Sequence, residues 1–385
     1  MKNPSPIVSS PQGAYLTIEN KSFLNLASNN YLGLAADPEV CAAAKAAIDK
    51  YGVGTASVRA LIGTNDLHLE LESNLAKFKN CEEAIVVTSG YLANLAAVQT
   101  LLDKEDVVIS DELNHASIID AVRLSGVKNK YIFAHSDMID LEAKINSIKE
   151  LMETPKSDGS KRKVMIITDG VFSMDGDIAP LPQIVTLAEK YGLMTMVDDA
   201  HGEGVLGDHG KGIIDHFHLH GRVDIEVGTL SKAFGVLGGV ICGKSEIISL
   251  LRTKARQFLF TNALSIPDTA ALIKAVELMS NSDDRLKTLW ENALFLQSEL
   301  KKVGFDIGMT TTPITPVMVG EEEKCLQFVA RLKEEGIIVA AIKFPMVAKG
   351  KARLRLMPSA LHTKSDLGKA ILSISEVGKE LGLIP

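Results

Sequence analysis

A lysine, an aspartate and a histidine carry the most chemical information in this chain. Lys232 stands in Gly228-Thr-Leu-Ser-Lys-Ala-Phe-Gly235, a small-residue loop after the apolar run 224–227. Asp198 and His201 stand in Met196-Val-Asp-Asp-Ala-His-Gly202, where an apolar strand ends in acidic residues. An amine for a Schiff base and a carboxylate that keeps a pyridine nitrogen protonated are what pyridoxal 5'-phosphate (PLP) requires of a protein. Asp198 reads as the partner of that nitrogen, because a buried carboxylate there is stabilised by the positive ring. His201 then lies within reach of the ring's phenolic oxygen.

Other residues fit the same ligand. Ser89-Gly90-Tyr91 is a strand–turn–helix junction, whose free N–H groups and helix dipole favour a phosphate. Thr229 adds a hydroxyl nearby. His115, in Asn114-His-Ala-Ser117, starts a helix past a strand end and is placed to stack on a ring, or simply to cap the helix. Arg353 and Arg355 alternate with apolar residues and share one strand face. That face is either solvated or a clamp for an amino-acid carboxylate, which suits guanidinium geometry. The run Asp215-His-Phe-His-Leu-His220 has metal-ligating residue types but no second ligand pair. It reads as a surface segment, and no metal is expected.

These residues must be positioned by regular elements. Short apolar segments at 84–88, 107–110, 131–134, 164–168, 194–197, 225–227 and 239–242 alternate with amphipathic helical stretches, among them 116–124. That order predicts an α/β fold with a mostly parallel seven-stranded sheet covered on both faces. Ligands then bind beyond the carboxyl ends of the strands. After about residue 265 the pattern changes to a helix at 283–303, a strand at 316–319 and a helix at 326–335. Strands at 337–342 and 352–356 and a closing helix at 364–381 complete a smaller α+β domain. The expected organisation is an N-terminal segment, 1–60, packing on the small domain and a dimer partner, a large PLP-binding domain, 61–264, and a small domain, 265–385. Thr154-Pro-Lys-Ser-Asp-Gly-Ser-Lys-Arg162 reads as a mobile polar loop.

With 385 residues, 46% of them hydrophobic, the chain can bury a large core. A net charge of -7, without a basic block interleaved with aromatics, argues against nucleic acid. Cys41, Cys81, Cys242 and Cys325 lack Cys-x-x-Cys spacing and read as thiols of a reducing compartment. Met1-Lys-Asn-Pro-Ser-Pro lacks the apolar region of a signal peptide, and no apolar stretch reaches the roughly 18–20 residues of a membrane span. A cytoplasmic protein is expected.

Taken in order, the motifs resemble the α-oxoamine synthase family of fold-type I PLP enzymes. The resemblance runs from Asn25-Leu-Ala-Ser-Asn-Asn-Tyr-Leu-Gly-Leu34 and Gly54-Thr-Ala-Ser-Val-Arg59 through Asp111-Glu-Leu-Asn-His-Ala-Ser-Ile-Ile119. It continues through Thr168-Asp-Gly-Val-Phe-Ser-Met-Asp-Gly176 to Arg355-Leu-Met-Pro-Ser-Ala-Leu-His362. It implies that Lys232 is the Schiff-base lysine and the acid/base at Cα. Asp198 would pair with the ring nitrogen and His201 with the phenolic oxygen, His115 would cover the ring, and Ser173 would lie close to the cofactor. The Ser89-Gly90-Tyr91 turn and Thr229 would hold the phosphate, with Thr261 of the partner subunit. Asn29 would lie near the amino acid, and Arg355 would grip its carboxylate. A homodimer with a shared active site is implied, and so is a reaction in which an amino acid condenses with an acyl-CoA and releases CoA.

Within the family, Asn29-Asn-Tyr-Leu-Gly33 and Phe344-Pro-x-Val-x-x-Gly-Lys-Ala-Arg353 look closest to glycine C-acetyltransferase (2-amino-3-ketobutyrate CoA ligase). Glycine and acetyl-CoA, giving 2-amino-3-oxobutanoate, are therefore the first expectation. Asp199-Ala-His-Gly-x-Gly204 is equally similar to 8-amino-7-oxononanoate synthase, and alanine with pimeloyl-CoA is the alternative. The chain starts close to a strand expected at 14–19, without the N-terminal helix usual in the family. An aminotransferase or C–S lyase fits less well with Asn114-His-Ala-Ser117 and Phe172-Ser-Met-Asp-Gly176. A non-catalytic subunit is hard to reconcile with Lys232, Asp198 and His201 all being present.

Overall fold

The structure is a computed structural model describing residues 6–385; the N-terminal stretch read above for a signal peptide therefore lies mostly outside the described residues. Near the N-terminus β1 (Tyr15–Ile18) and β2 (Lys21–Asn25) pair antiparallel. Both loop residues, Glu19 and Asn20, have positive φ, as the right-handed twist of a two-residue hairpin requires.

The central sheet contains β3 (Glu83–Val87), β4 (Val107–Asp111), β5 (Asn129–Phe133), β6 (Val164–Asp169), β7 (Met194–Asp198), β8 (Ile225–Thr229) and β9 (Gly239–Gly243). Their order is β3-β9-β8-β7-β6-β4-β5. Only β9 runs antiparallel to its neighbours. β4 and β6 are almost continuously apolar, as strands covered on both faces are, while β7 and β8 carry the buried polar residues Thr195 and Glu226. The edge strand β5 instead alternates, exposing Lys130 and Ile132. The chain leaves β4 outward to β5 and returns to β6 on the other side of β4. The gap between β4 and β6 is thus the topological switch point, where α/β sheets open a crevice for ligands.

Toward the C-terminus β10 (Thr315–Gly320), β12 (Ala340–Ile342) and β13 (Ala352–Leu356) form an antiparallel sheet, and β11 (Ile337–Ile338) pairs with β2. Leu24 and Leu26 accordingly share an apolar cluster with Leu354, Leu356 and Ile374. The single strand expected at 337–342 is split, since the chain changes sheet at Val339. The helix expected at 326–335 begins earlier, as Glu322–Glu334, because acidic residues without apolar periodicity still suit a first helical turn. The stretch 154–162 is pinned rather than loose. Buried Lys156 pairs with Asp103 (2.6 Å) and Asp106 (3.2 Å), and Arg162 donates to the Glu105 carbonyl. In the histidine-rich run, Asp215 is buried and accepts from the Asp208 amide and from His220 Nε2.

Beneath β7 and β8 lies a dry charge cluster. Lys79 Nζ is 2.5 Å from Glu226 Oε1, 3.2 Å from Glu203 Oε1 and 3.5 Å from Asp199 Oδ2. Burial opposes the Lys79 charge, but the three carboxylates hold its ammonium well above the ordinary value. Burial also pushes Glu203 up to about 7 and Asp199 well above the carboxylate range. Gly212 and Gly228 leave the space the carboxylates fill, since a Cβ on either would collide with Asp199 or Glu203.

Lys79→Met, which strands three buried carboxylates, is expected to lower stability by about 3–5 kcal/mol, read by urea denaturation. A carboxyl with a raised folded pKa contributes stability below its unfolded value and loses it as pH rises through the folded value. The variant should therefore be weaker at pH 8 than at pH 5.

Candidate active site

Four turns at the carboxyl ends of β3, β6, β7 and β8, with the start of the helix after β4, converge on a cleft of about 100 Å³. At the end of β3, Ser89 Oγ accepts the Leu92 N–H (3.2 Å) and caps the helix Gly90–Leu101. The first helical bond runs from Ala93 N–H to the Ser89 carbonyl, so the Gly90 and Tyr91 amides precede the ladder and face a ligand site. The approach is close: a Cβ on Gly90 would lie 2.8 Å from Thr229 Cβ, and one on Gly239 would collide with the Ser89 backbone. Gly90, Tyr91 and Thr229 line the cleft, whereas Ser89 acts as the cap behind them.

Asp198 ends β7 inside the cleft and is buried. Its Oδ2 accepts from Asn94 Nδ2 at 2.6 Å, and its Oδ1 from the Ala200 amide at 3.0 Å. Asn94 also donates to Ser117 Oγ, while its own Oδ1 is buried without a partner. Asp169, at the end of β6, accepts the His115 amide at 2.9 Å. Burial, with the nearby Asp198 charge, pushes Asp169 well above the carboxylate range.

His201 shares a 2.8 Å hydrogen bond with the Tyr31 hydroxyl through Nδ1. Burial, together with Lys232 and Arg355, holds it well below its ordinary value, and the ring is neutral. His115 caps the helix Ala116–Ser125 through its ring and lines the cleft as well; the two sequence readings are compatible. Burial also lowers its pKa. Lys232 extends from the turn after β8 and has no hydrogen-bond or ion-pair partner among the described residues. Burial lowers its pKa against the pull of Asp198 and Asp169, which brings the free amine, the nucleophilic form, closer to neutral pH.

The two arginines of β13 do reach one region but divide there. Arg353 is committed to Asp175 and the Met174 carbonyl. Arg355 donates Nη1 to the Ser173 carbonyl (3.1 Å), and its Nε is buried without a partner. Asn29 Oδ1 is likewise buried and unpartnered, in a second groove that also reaches Lys232. Ser173 lines the main cleft. Thr261 does not line it; its hydroxyl donates to the Gln257 carbonyl of its own chain.

Sequence reasoning missed Asn94, Asp169, Tyr31 and Ser117. A polar residue in the apolar helix Gly90–Leu101 was a usable signal for Asn94, because buried amides need partners. Asp169 was marked by its place at a strand end inside a recognised motif.

The sequence profile of the family described as aminotransferase class I and II matches residues 21–374. An 8-amino-7-oxononanoate synthase of Thermosipho melanesiensis is 56% identical over 97% of this chain and 93% of that protein. One of Fervidobacterium nodosum is 54% identical, with the same coverage. Among solved structures, SPT with a PLP internal aldimine superposes with a TM-score of 0.92 and 31% identity over 99% of this chain and 94% of that one. The chain belongs to the aminotransferase class I and II family, and within it to the α-oxoamine synthases.

Gly239→Ala should force the Ser89 turn away from β9 and cost about 1–3 kcal/mol of stability through overpacking. Thermal denaturation of the variant beside the parent protein checks this.

Proposed function

We propose that this chain condenses L-alanine with pimeloyl-CoA, releasing CO2 and CoA and forming 8-amino-7-oxononanoate, with PLP as cofactor. The observation that carries the reading is the 56% identity, over nearly the whole chain, to a relative named for that product. It favours the alternative substrate pair over glycine with acetyl-CoA. Short motifs discriminate poorly between enzymes that share nearly all their catalytic residues, whereas identity across 375 residues also samples the surroundings of the site.

The residues present suit PLP. The Gly90 and Tyr91 amides and Thr229 would take the phosphate, Asp198 the pyridine nitrogen, and unpaired Lys232 the aldehyde carbon. Bound there, PLP supplies an electron sink for negative charge at the amino-acid Cα. Asp198, fixed by Asn94 and the Ala200 amide, holds the ring proton. Lys232, with its lowered pKa, accepts and returns the Cα proton near neutral pH. Neutral His201, oriented by Tyr31, flanks the ring oxygen, and His115 covers one face. Arg355 meets the substrate carboxylate through its unpartnered Nε, and its side chain is steadied by the Ser173 carbonyl.

A homodimer belongs to the same proposal. Leu61, Ile62 and Phe260 are 77%, 88% and 71% exposed, and Thr261 adjoins this apolar surface. Apolar exposure of that kind marks an interface, and a second copy of the chain would cover it.

The deciding assay follows CoA thiol release by PLP-loaded protein with alanine and pimeloyl-CoA, beside glycine and acetyl-CoA. Faster release with the first pair is expected; faster release with the second would return the assignment to glycine. Lys232→Ala should lose activity by several orders of magnitude. Arg355→Lys should raise KM for alanine by roughly 10- to 100-fold, the effect of losing a hydrogen bond to a charged group.

A further inference from the structure

We infer that His135 is a positioning residue, an imidazolium clamp that locks the loop after β4 to the loop after β6 and so seats His115 and Ser173 around the cofactor. The inference deepens the PLP-dependent reading above and rests on it.

His135 lies just beyond β5, the edge strand farthest from the catalytic lysine's strand among those parallel to it, yet its ring points back across the switch point. Nδ1 is 3.0 Å from Asp111 Oδ1, and Nε2 is 2.9 Å from Asp177 Oδ2. Asp111 ends β4 and also accepts the Leu113 and Ser136 amides, both at 2.9 Å. Glu112 accepts the His135 backbone amide at 2.9 Å. Asp177 closes the loop that carries Ser173, and its carbonyl accepts the Phe172 N–H. The imidazole stands edge-on to Phe172, with ring centroids 4.3 Å apart at 81°. One side chain thus bonds the bases of both loops and packs between them.

The arrangement requires a charged ring. A neutral imidazole offers one N–H and would turn a lone pair toward one carboxylate. Asp111 and Asp177 are the acids facing the ring nitrogens. Burial opposes the charge, but the two carboxylates hold His135 up to about 10.

Both clamped loops lead to the site. From Asp111 the chain passes through Asn114, whose side chain bonds the Ile167 carbonyl and the Asp169 amide, to His115. In the other loop the Ser173 carbonyl accepts from Arg355, and Asp175 pairs with Arg353. Release of Asp177 frees the loop that anchors the carboxylate-binding arginine. His135 does not line the cleft, so its effect is exerted through His115, Ser173 and Arg355.

The test compares holoenzyme with His135→Gln and Asp177→Asn, which each remove one half of the charge pair. Three readouts need no thioester: PLP affinity, the circular dichroism of the bound cofactor's absorption band, and the spectral titration of that band with alanine and, separately, glycine. Melting temperature is recorded in parallel. The clamp predicts more than threefold weaker binding of PLP or amino acid, with an altered cofactor dichroism, at temperatures where the variants remain folded. Affinities within threefold and an unchanged band, even with a lower melting temperature, would overturn it. If His135→Gln does not fold, Asp177→Asn decides by the same criteria. A parent protein that binds PLP but responds to glycine and not alanine would remove the substrate assignment and leave the clamp to be judged on PLP and glycine. The stability lost on His135→Gln should also be full below pH 6.5 and vanish as pH rises through about 10, since the folded pKa lies above the unfolded one.

Discussion

A carboxylate buried at the end of a strand is the constraint around which this site is organised. Asp198 leaves a sheet covered on both faces, where an unsatisfied charge is costly. One side-chain amide, from Asn94, and one backbone amide, from Ala200, meet it. These contacts require the helix Gly90–Leu101 to lie against the end of β7. That placement in turn requires Gly90 to approach Thr229 and Gly239 to approach Ser89 without side chains. The free amides at the helix start, the carboxylate and the lysine beyond β8 therefore come to one cleft as a single packing solution.

The strand's period of two extends the consequence. Side chains of an extended chain alternate faces, so Asp198 at the end of β7 faces the cleft while Asp199, the next residue, faces Lys79, Glu203 and Glu226 behind it. Asp198 and Asp199 are both buried, and each depends on partners from other elements. Behind the sheet one lysine is shared among three carboxylates. In the cleft, burial and the nearby Asp198 charge together raise the Asp169 carboxyl pKa. The turn carrying His201 is held between the two sets, which gives it a defined seat although it is a loop.

The switch point adds a second requirement. Loops that diverge on either side of β4 and β6 have no covalent reason to stay in register, yet His115 and the anchor of Arg355 are carried on them. Ion pairing across that gap through His135 supplies what the sheet hydrogen bonds do not, and Arg353 of β13 adds a second hold on the loop after β6 through Asp175. Arg353 and Arg355 show how little sequence spacing says about roles. They share a strand face, but one is consumed in holding the loop and the other keeps a buried donor free.

The sheet, the order of its elements and the principal chemical residues were legible in the sequence, because strand periodicity and strand-end polar residues are local signals. Lys232, Asp198, His201, Gly90, Thr229 and Ser173 could be named from motifs, and the structure gathers them. Tyr31 was not legible, because its partner His201 lies 170 residues away, and Asn94 showed only as a polar residue in an apolar helix, its partner Asp198 lying 104 residues on. The mobile reading of 154–162 failed because Lys156 finds Asp103 and Asp106, 53 and 50 residues earlier in the chain, and is buried against them. The substrate pair was not legible from short motifs either, because those motifs serve chemistry that the whole family shares. The sequence by itself determined which elements form and which residues can react, as hydrophobic period and side-chain chemistry act locally. Only the tertiary structure decided which polar groups are paired, protonated or left free, because burial and long-range contact set those states.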